Sequence, residues 1–380
     1  MDFDMRKIQM VDLRLQYEKI KTEIDNGIAE VINSTAFIKG AKVDDLSKEL
    51  ATYLDVKHVI PCGNGTDALQ IALMSLGLKP SDEIICPAFT FIASAEVIGL
   101  LGYRPVFVDV DYDSFNVTAK NIEQAISVKT KAIIPVHLFG QAAPMEAIMD
   151  IAKKYDLHVI EDTAQALGAD YIYEDGHKQK LGTIGTIGCT SFFPSKNLGC
   201  YGDGGAIFTN DDVLAEKMRM ISNHGMKERY HHDVLGVNSR LDTIQAAVLS
   251  AKLKHLDEYA QARNEAAKVY NEAFAEIKDL ILPKQESFSS HVYHQYTLKV
   301  KNGRRDELKA FLAENNIPSM VYYPIPLHKQ KAFLPIARQG STFEISEKLS
   351  EEVLSLPMHT ELDEEQLQYI TSKIKEFFSK

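Results

Sequence analysis

The sequence predicts an α/β fold: a mostly parallel central sheet flanked by helices, followed by a smaller α+β domain. Three observations lead there. Short β-rich runs alternate with amphipathic helical runs between about residues 56 and 209, the signature of strands joined by crossover helices. The strand-like runs are apolar on both sides, as in a sheet covered on both faces. Past Leu282-Pro283 the texture changes to strand, helix, strand and a final helix.

Taken in order, Tyr17, Ile20, Ile24, Ile28 and Val31 recur at three- and four-residue steps and predict one amphipathic helix. Phe37-Ile38-Lys39-Gly40 leads into a short helix over 43–54. Strands are expected at 56–61, 83–86, 105–110, 131–136, 158–160, 188–193 and 205–209. Between them, 67–77, 94–101 and 144–155 carry helical patterns. After Asn238-Ser239-Arg240-Leu241-Asp242 a single long helical pattern runs to about Phe274, with Leu249, Leu253 and Leu256 as core markers. Then come a strand at 291–300, a helix at 306–315, a strand at 320–322 and a last helix marked by Leu367, Ile370, Ile374 and Phe377. The expected division is a large domain over 1–250 and a small one over 251–380, joined by the long helix.

Composition narrows the class. Apolar content of 45% and charged content of 25% are ordinary for a globular protein, and 380 residues suffice for two domains or three. A net charge of −11 argues against a nucleic-acid or anionic-membrane binder. The chain opens Met1-Asp2-Phe3-Asp4 without a basic-then-apolar leader and has no long apolar run, so a cytoplasmic location is expected. Cys62, Cys86, Cys189 and Cys200 lack zinc spacing and are expected to stay reduced. His231-His232 and the His291/His294 pair lack an acidic residue placed to complete a metal site, so no metal is expected.

In parallel α/β sheets the chemistry sits in loops beyond the carboxyl ends of the strands. Lys196 lies in such a loop, between Phe192-Phe193-Pro194-Ser195 and Asn197-Leu198-Gly199, with no second positive charge from Thr190 to Ala206. A pocket there would lower the amine's pKa and free it as a nucleophile. The competing reading is a lysine that snorkels at a strand end. Gly63-Asn64-Gly65-Thr66-Asp67-Ala68 follows a strand and opens a helix, suiting a phosphate at a helix N-terminus. It also fits the dinucleotide pattern G-x-G-x-x-A of a nicotinamide dehydrogenase. That reading wants an acidic residue at the end of the next strand, whereas Asp82 and Glu83 precede it. Phe91 is placed to stack on a flat ring or to fill core. Of Glu161 and Asp162, strand alternation lets only one point to a given face. A carboxylate facing a heteroaromatic nitrogen keeps it protonated, the electron sink of pyridoxal-phosphate chemistry; Asp162 could equally cap a following helix. Gln165 lies three residues on. A phosphate cradle, an aromatic plate, a carboxylate and a lysine on successive loops of one sheet imply a shared site.

With these motifs in view, the chain resembles the DegT/DnrJ/EryC1/StrS family of pyridoxal-phosphate sugar aminotransferases, of aminotransferase fold type I. The likeness runs from Val11-Asp12-Leu13 to Tyr323-Pro324-Ile325-Pro326-Leu327-His328. The resemblance implies that Lys196 is the Schiff-base lysine and Asp162 the partner of the pyridine nitrogen. Phe91 would stack on the ring, and Gln165 would contact its oxygen. Gly65, Thr66, Asp67 and Ser191 would hold the phosphate. It further implies that Asn238 reaches the phosphate in the neighbouring subunit of a homodimer. Lysine at 196, where a dehydratase branch carries histidine, favours transamination, with L-glutamate as donor and a nucleotide-linked keto sugar as acceptor. The run from Cys189 to Ala206 is most similar to enzymes that aminate UDP-2-acetamido-2-deoxy-3-oxo-glucuronate for surface polysaccharides. Arg240 is the candidate for the uronate carboxylate, with pairing to Asp242 as its structural alternative. Tyr322 and His328 are candidate sugar contacts. A 4-keto or another 3-keto sugar, and a regulatory protein on the same fold, stay open as alternatives.

Overall fold

The computed structural model describes residues 6–338 and 342–379; the Met1-Asp2-Phe3-Asp4 opening lies outside them. The central sheet has seven strands: β1 (His58–Cys62), β2 (Glu83–Pro87), β3 (Arg104–Val108), β4 (Thr130–Ile133), β5 (His158–Asp162), β6 (Ile187–Ser191) and β7 (Gly205–Thr209). Their spatial order is β1-β7-β6-β5-β4-β2-β3. Strands β6, β5, β4, β2 and β3 are parallel neighbours, while β7 runs antiparallel to both β1 and β6. Six of the strands therefore end on the same edge.

Helices cover both faces. Gly65–Ser75, Ala93–Leu100 and Asp212–Ile221 bury Leu69, Ile98 and Met218 against one face, and Ala119–Ala125 and Met145–Tyr155 bury Ile122 and Ile148 against the other. That double cover is why β2 and β7 are buried along their whole length. A second antiparallel sheet orders β8 (Leu280–Ile281), β9 (Tyr296–Val300) and β10 (Val353–Leu356). Helices Leu256–Phe274, Arg305–Glu314 and Glu364–Phe378 close a separate core on it around Tyr270, Leu312 and Ile370, which Ile8 also joins. Among the described residues no helix is long and apolar enough to cross a membrane.

Four expectations of secondary structure are corrected. The first helix is two, Leu13–Lys19 and Lys21–Ser34, meeting at a non-helical Ile20 that still buries beside Ile24 and Val248. The long helix is also two, Thr243–Leu253 and Leu256–Phe274. The break at Lys254-His255 turns the chain: Leu249 and Leu253 pack on the first body of core, Ala266 and Tyr270 on the second. Periodicity cannot register such a turn when apolar spacing continues through it. The strand at 291–300 starts only at Tyr296, because Val292 spends its N–H on the Gly140 carbonyl. At 320–322 a single bridge joins Met320 to Ser355. Position 250, the expected boundary, falls within helix Thr243–Leu253.

The sheet order also disposes of the dinucleotide pattern. A Rossmann unit needs the strand before the glycine loop to pair in parallel with the strand after its helix. Here β1 is an edge strand bonded only to the reversed β7, and β2 lies at the far side of the sheet. Glu83 sits at the amino end of β2, accepting from Ser127 Oγ at 2.6 Å.

Candidate active site

Register brings the glycine loop and the lysine loop together. Gly205, the first residue of β7, pairs with Cys62 on one side and Ser191 on the other. A Cβ at Gly205 would lie 2.5 Å from the Asn64 carbonyl carbon and oxygen, so only glycine lets β7 start beneath that turn. Helix Gly65–Ser75 begins above it, with Asn64 Oδ1 accepting from Asp67 N at 2.8 Å as its N-cap. Ser239 Oγ accepts from Gly63 N at 2.9 Å and donates to Asp67 Oδ2 at 2.6 Å, tying the loop that carries Asn238 and Arg240 to this turn. Thr66, on the first turn, is half-buried. The result is a helix N-terminus beside the Ser191 hydroxyl, a cradle for an anionic group.

The fit is close. A Cβ on Gly65 would come 2.6 Å from Ser191 Cβ, and both atoms are backbone-proximal. We expect Gly65→Ala to part the helix from Ser191 and weaken pyridoxal-phosphate affinity about tenfold or more, the effect of about 1–3 kcal/mol of overpacking. Titration of the apoprotein followed in the visible band measures it; unchanged affinity would mean the cradle lies elsewhere.

Asp162 closes β5 and is buried; Oδ2 accepts from Ser94 Oγ at 2.7 Å and Oδ1 from Ala164 N at 3.1 Å. Glu161 points to the other face, as alternation requires. It accepts from the Gly182, Ile184 and Gly185 amides at 2.9, 2.7 and 2.6 Å and is 3.0 Å from His137 Nε2. So Glu161 is consumed by structure, while Asp162 spends one bond per oxygen and lies close enough for its charge to act on Lys196. Gln165 is anchored at both ends: Oε1 accepts from Phe139 N at 2.7 Å and Nε2 donates to Tyr323 OH at 3.0 Å. One N–H of that amide is left to give. Phe91, 54% exposed, rests near Tyr323 with ring centroids 6.3 Å apart.

Lys196 lies in the loop between β6 and β7, which folds back on itself through Phe192 N to Gly204 O, Lys196 N to Phe193 O and Cys200 N to Phe192 O. The residue as a whole is half-buried. Burial lowers the amine from its ordinary value to about 8, against the opposing pull of Asp162. Lys252 is also brought to about 8 by burial. Geometry separates the two. Lys252 Nζ donates to Gly199 O at 2.8 Å and sits 4.5 Å from the Tyr201 ring centroid, sealed under the loop. Lys196 is the amine within reach of the Asp162 charge, whereas Asp162 is not among the groups that act on Lys252.

Other candidates are placed less tightly. Asn238 is exposed and bridges by backbone to Asn223. Arg240 is half-buried and, among the described residues, forms no ion pair, with Asp242 or any other. It lines a cleft of about 610 Å³ with Lys39 and Arg219. Partial burial and the Arg240 charge lower the Lys39 amine. Tyr322 is half-buried, its ring 5.8 Å from that of Tyr323. His328 is buried, stacked on Phe343 at 4.0 Å with Nε2 3.1 Å from Glu347 Oε1. Its Nδ1 is buried and, among the described residues, has no hydrogen-bond partner. Ser94, Ser239 and Tyr323 act through Asp162, Asp67 and Gln165, and sequence reasoning missed them as partners. Ser239 and Tyr323 stood inside quoted motifs, but nothing local says what a hydroxyl will reach across the fold.

Residues 18–375 match the DegT/DnrJ/EryC1/StrS aminotransferase family. The chain is 50% identical to the pleiotropic regulatory protein of Geobacillus stearothermophilus, over 98% of each chain. It is 47% identical to UDP-N-acetyl-3-dehydro-alpha-D-glucosamine 3-aminotransferase of Acidithiobacillus ferrooxidans, over 97% of each chain. It is 44% identical to UDP-2-acetamido-2-deoxy-3-oxo-D-glucuronate aminotransferase of Pseudomonas aeruginosa, over 97% of this chain and 99% of that one. The fold matches that of ntda from Bacillus subtilis with bound cofactor PMP, with TM-score 0.91 and 31% identity, over 100% of this chain and 87% of that one. The chain belongs to the DegT/DnrJ/EryC1/StrS aminotransferase family, a family of pyridoxal-phosphate-dependent sugar aminotransferases.

Proposed function

We propose that the protein transfers the amino group of L-glutamate to C-3 of a UDP-linked 3-oxo sugar, with UDP-2-acetamido-2-deoxy-3-oxo-glucuronate as the preferred acceptor, in surface polysaccharide synthesis. The observation that carries the transamination is a lysine with a lowered pKa beside a buried carboxylate at the common carboxyl edge of β5 and β6. The choice of C-3 is supported by the names of the Acidithiobacillus and Pseudomonas relatives.

Bound pyridoxal phosphate supplies an electron sink for breaking bonds at the carbon that bears the amino group. The residues do the rest. Lys196 would hold the cofactor covalently through its amine and, as a free amine, would serve as the acid and base that moves the proton at the substrate carbon. Asp162, fixed by Ser94 and Ala164, holds a proton on the pyridine nitrogen. Gln165 offers its remaining N–H to the ring oxygen, and Phe91 covers a ring face. Gly65, Thr66, Asp67 and Ser191 hold the phosphate at the helix N-terminus. Asn238 completes the phosphate site of the second subunit of a homodimer. Arg240, without an ion pair among the described residues, meets the uronate carboxylate, and Tyr322 contacts the sugar. His328 is the other sugar-side contact from this segment, through an Nδ1 that has no hydrogen-bond partner among the described residues.

The test is to convert the enzyme to its amino form with glutamate and offer 3-oxo and 4-oxo sugars on UDP and dTDP. Amination confined to 4-oxo sugars would defeat the C-3 assignment, and no amination of any would favour the regulatory role in the Geobacillus relative's name. The uronate is tested by Arg240→Ala. We expect kcat/KM to fall about 10- to 100-fold for the uronate, from loss of a charged hydrogen bond worth about 1.5–3 kcal/mol. The neutral 3-oxo-glucosamine should lose little; equal losses would reassign Arg240 to the nucleotide.

A further inference from the structure

A second cleft is lined by none of the residues assigned to the cofactor or the substrate. It has a volume of about 380 Å³ and is lined by Tyr171, Tyr173 and Phe288 together with Glu146 and Glu174. Its walls are the strand Asp170–Ile172 with the two residues that follow it, the first turn of helix Met145–Tyr155 and the stretch around 287–288. Hydrogen bonds hold these walls in place: Ile172 N to Phe288 O at 2.8 Å, Ser290 N to Asp170 O at 3.0 Å, and Asp170 N to Ser290 Oγ at 2.8 Å. The rings are packed on one another, Tyr171 at 4.9 Å from Tyr173 and 5.6 Å from Phe288 between centroids. His177 stacks on Tyr173 at 3.9 Å and fixes that ring further. The cleft is therefore formed before any ligand arrives.

Its charge is unbalanced. Among the described residues neither Glu146 nor Glu174 is in an ion pair. Glu146 has a single side-chain bond, accepting from Tyr171 OH at 3.3 Å. Glu174 is exposed at the rim. Negative carboxylates and the negative faces of aromatic rings favour the same ligand, a cation with an apolar surface. A bare metal ion would want several oxygen ligands at short range, whereas an alkylammonium is held by rings and diffuse charge.

We propose that this cleft binds a small molecule carrying an alkylammonium group, with Tyr173 and Phe288 against the cation, the buried Tyr171 backing both rings, and Glu146 and Glu174 neutralising it. The volume, near the lower end for ligand pockets, suits a single small amine.

Choline and its uncharged isostere 3,3-dimethylbutan-1-ol serve as probes, titrated calorimetrically into the pyridoxal-phosphate-loaded enzyme. Choline should bind at least about tenfold more tightly than the alcohol, the ratio expected when charge contributes about 1.4 kcal/mol. Tyr173→Leu and, separately, the surface change Glu174→Gln should each weaken choline and leave the alcohol nearly unaffected. Equal binding of the two probes, no choline binding at millimolar concentration, or choline binding indifferent to both substitutions would overturn the proposal. Glu174→Gln alters an exposed side chain, so its result stands even if Tyr173→Leu fails to fold.

Discussion

Lys196→Ala is expected to lose the visible absorption band of the bound cofactor and to lower kcat by about 10⁴-fold or more. That is the top of the range for one acid–base group, because the same amine is also the covalent anchor. The pH dependence follows from burial. Only the neutral amine attacks, and it becomes half-free near pH 8 where a solvated lysine would do so near 10.5. Capture of pyridoxal phosphate by the apoprotein should therefore accelerate from pH 6 and level off just above about 8. Continued acceleration beyond pH 9 would show an amine that burial has not perturbed. Lys252→Ala makes the contrast. It removes the bond to Gly199 O and the contact with Tyr201, so thermal stability should fall while the visible band is retained.

Asp162→Asn is expected to cost about 10- to 1000-fold in kcat. An adjacent carboxylate shifts the pKa of a facing group by about one to three, and each step is a tenfold change in how much of the ring keeps its proton. Asparagine keeps the shape: its Oδ1 can still accept from Ala164 N while its Nδ2 donates to Ser94 Oγ, so cofactor affinity should fall far less than kcat. Loss of affinity with kcat preserved in the residual holoenzyme would make Asp162 a packing residue. Glu161→Gln behaves differently: three backbone amides lose their carboxylate, and unfolding on heating should come several degrees lower.

Much of this was legible in the chain. Alternation of strand and helix gave the sheet, because each strand is buried on both faces and each crossover helix on one. Alternation within β5 foresaw that Glu161 and Asp162 part company, though not which of them was consumed by the 182–185 turn. The glycine loop announced a helix N-terminus. Its pattern matched a dinucleotide fold equally well, and only the antiparallel β1–β7 pairing decides between them. The breaks at Ile20 and at Lys254-His255 left no mark, since apolar spacing continues across both. The supporting hydroxyls of Ser94, Ser239 and Tyr323 were also hidden. Their partners stand 68, 172 and 158 residues away in the chain, and only tertiary structure brings them close.

The most direct measurement is to reduce the yellow holoenzyme with borohydride, digest it and locate the pyridoxyl group by mass spectrometry. Burial lowers both Lys196 and Lys252 to about 8, so amine reactivity alone would not choose between them. The geometry predicts the label on the peptide that contains Lys196, beside Asp162. A label on Lys252, or spread over several lysines, would contradict it.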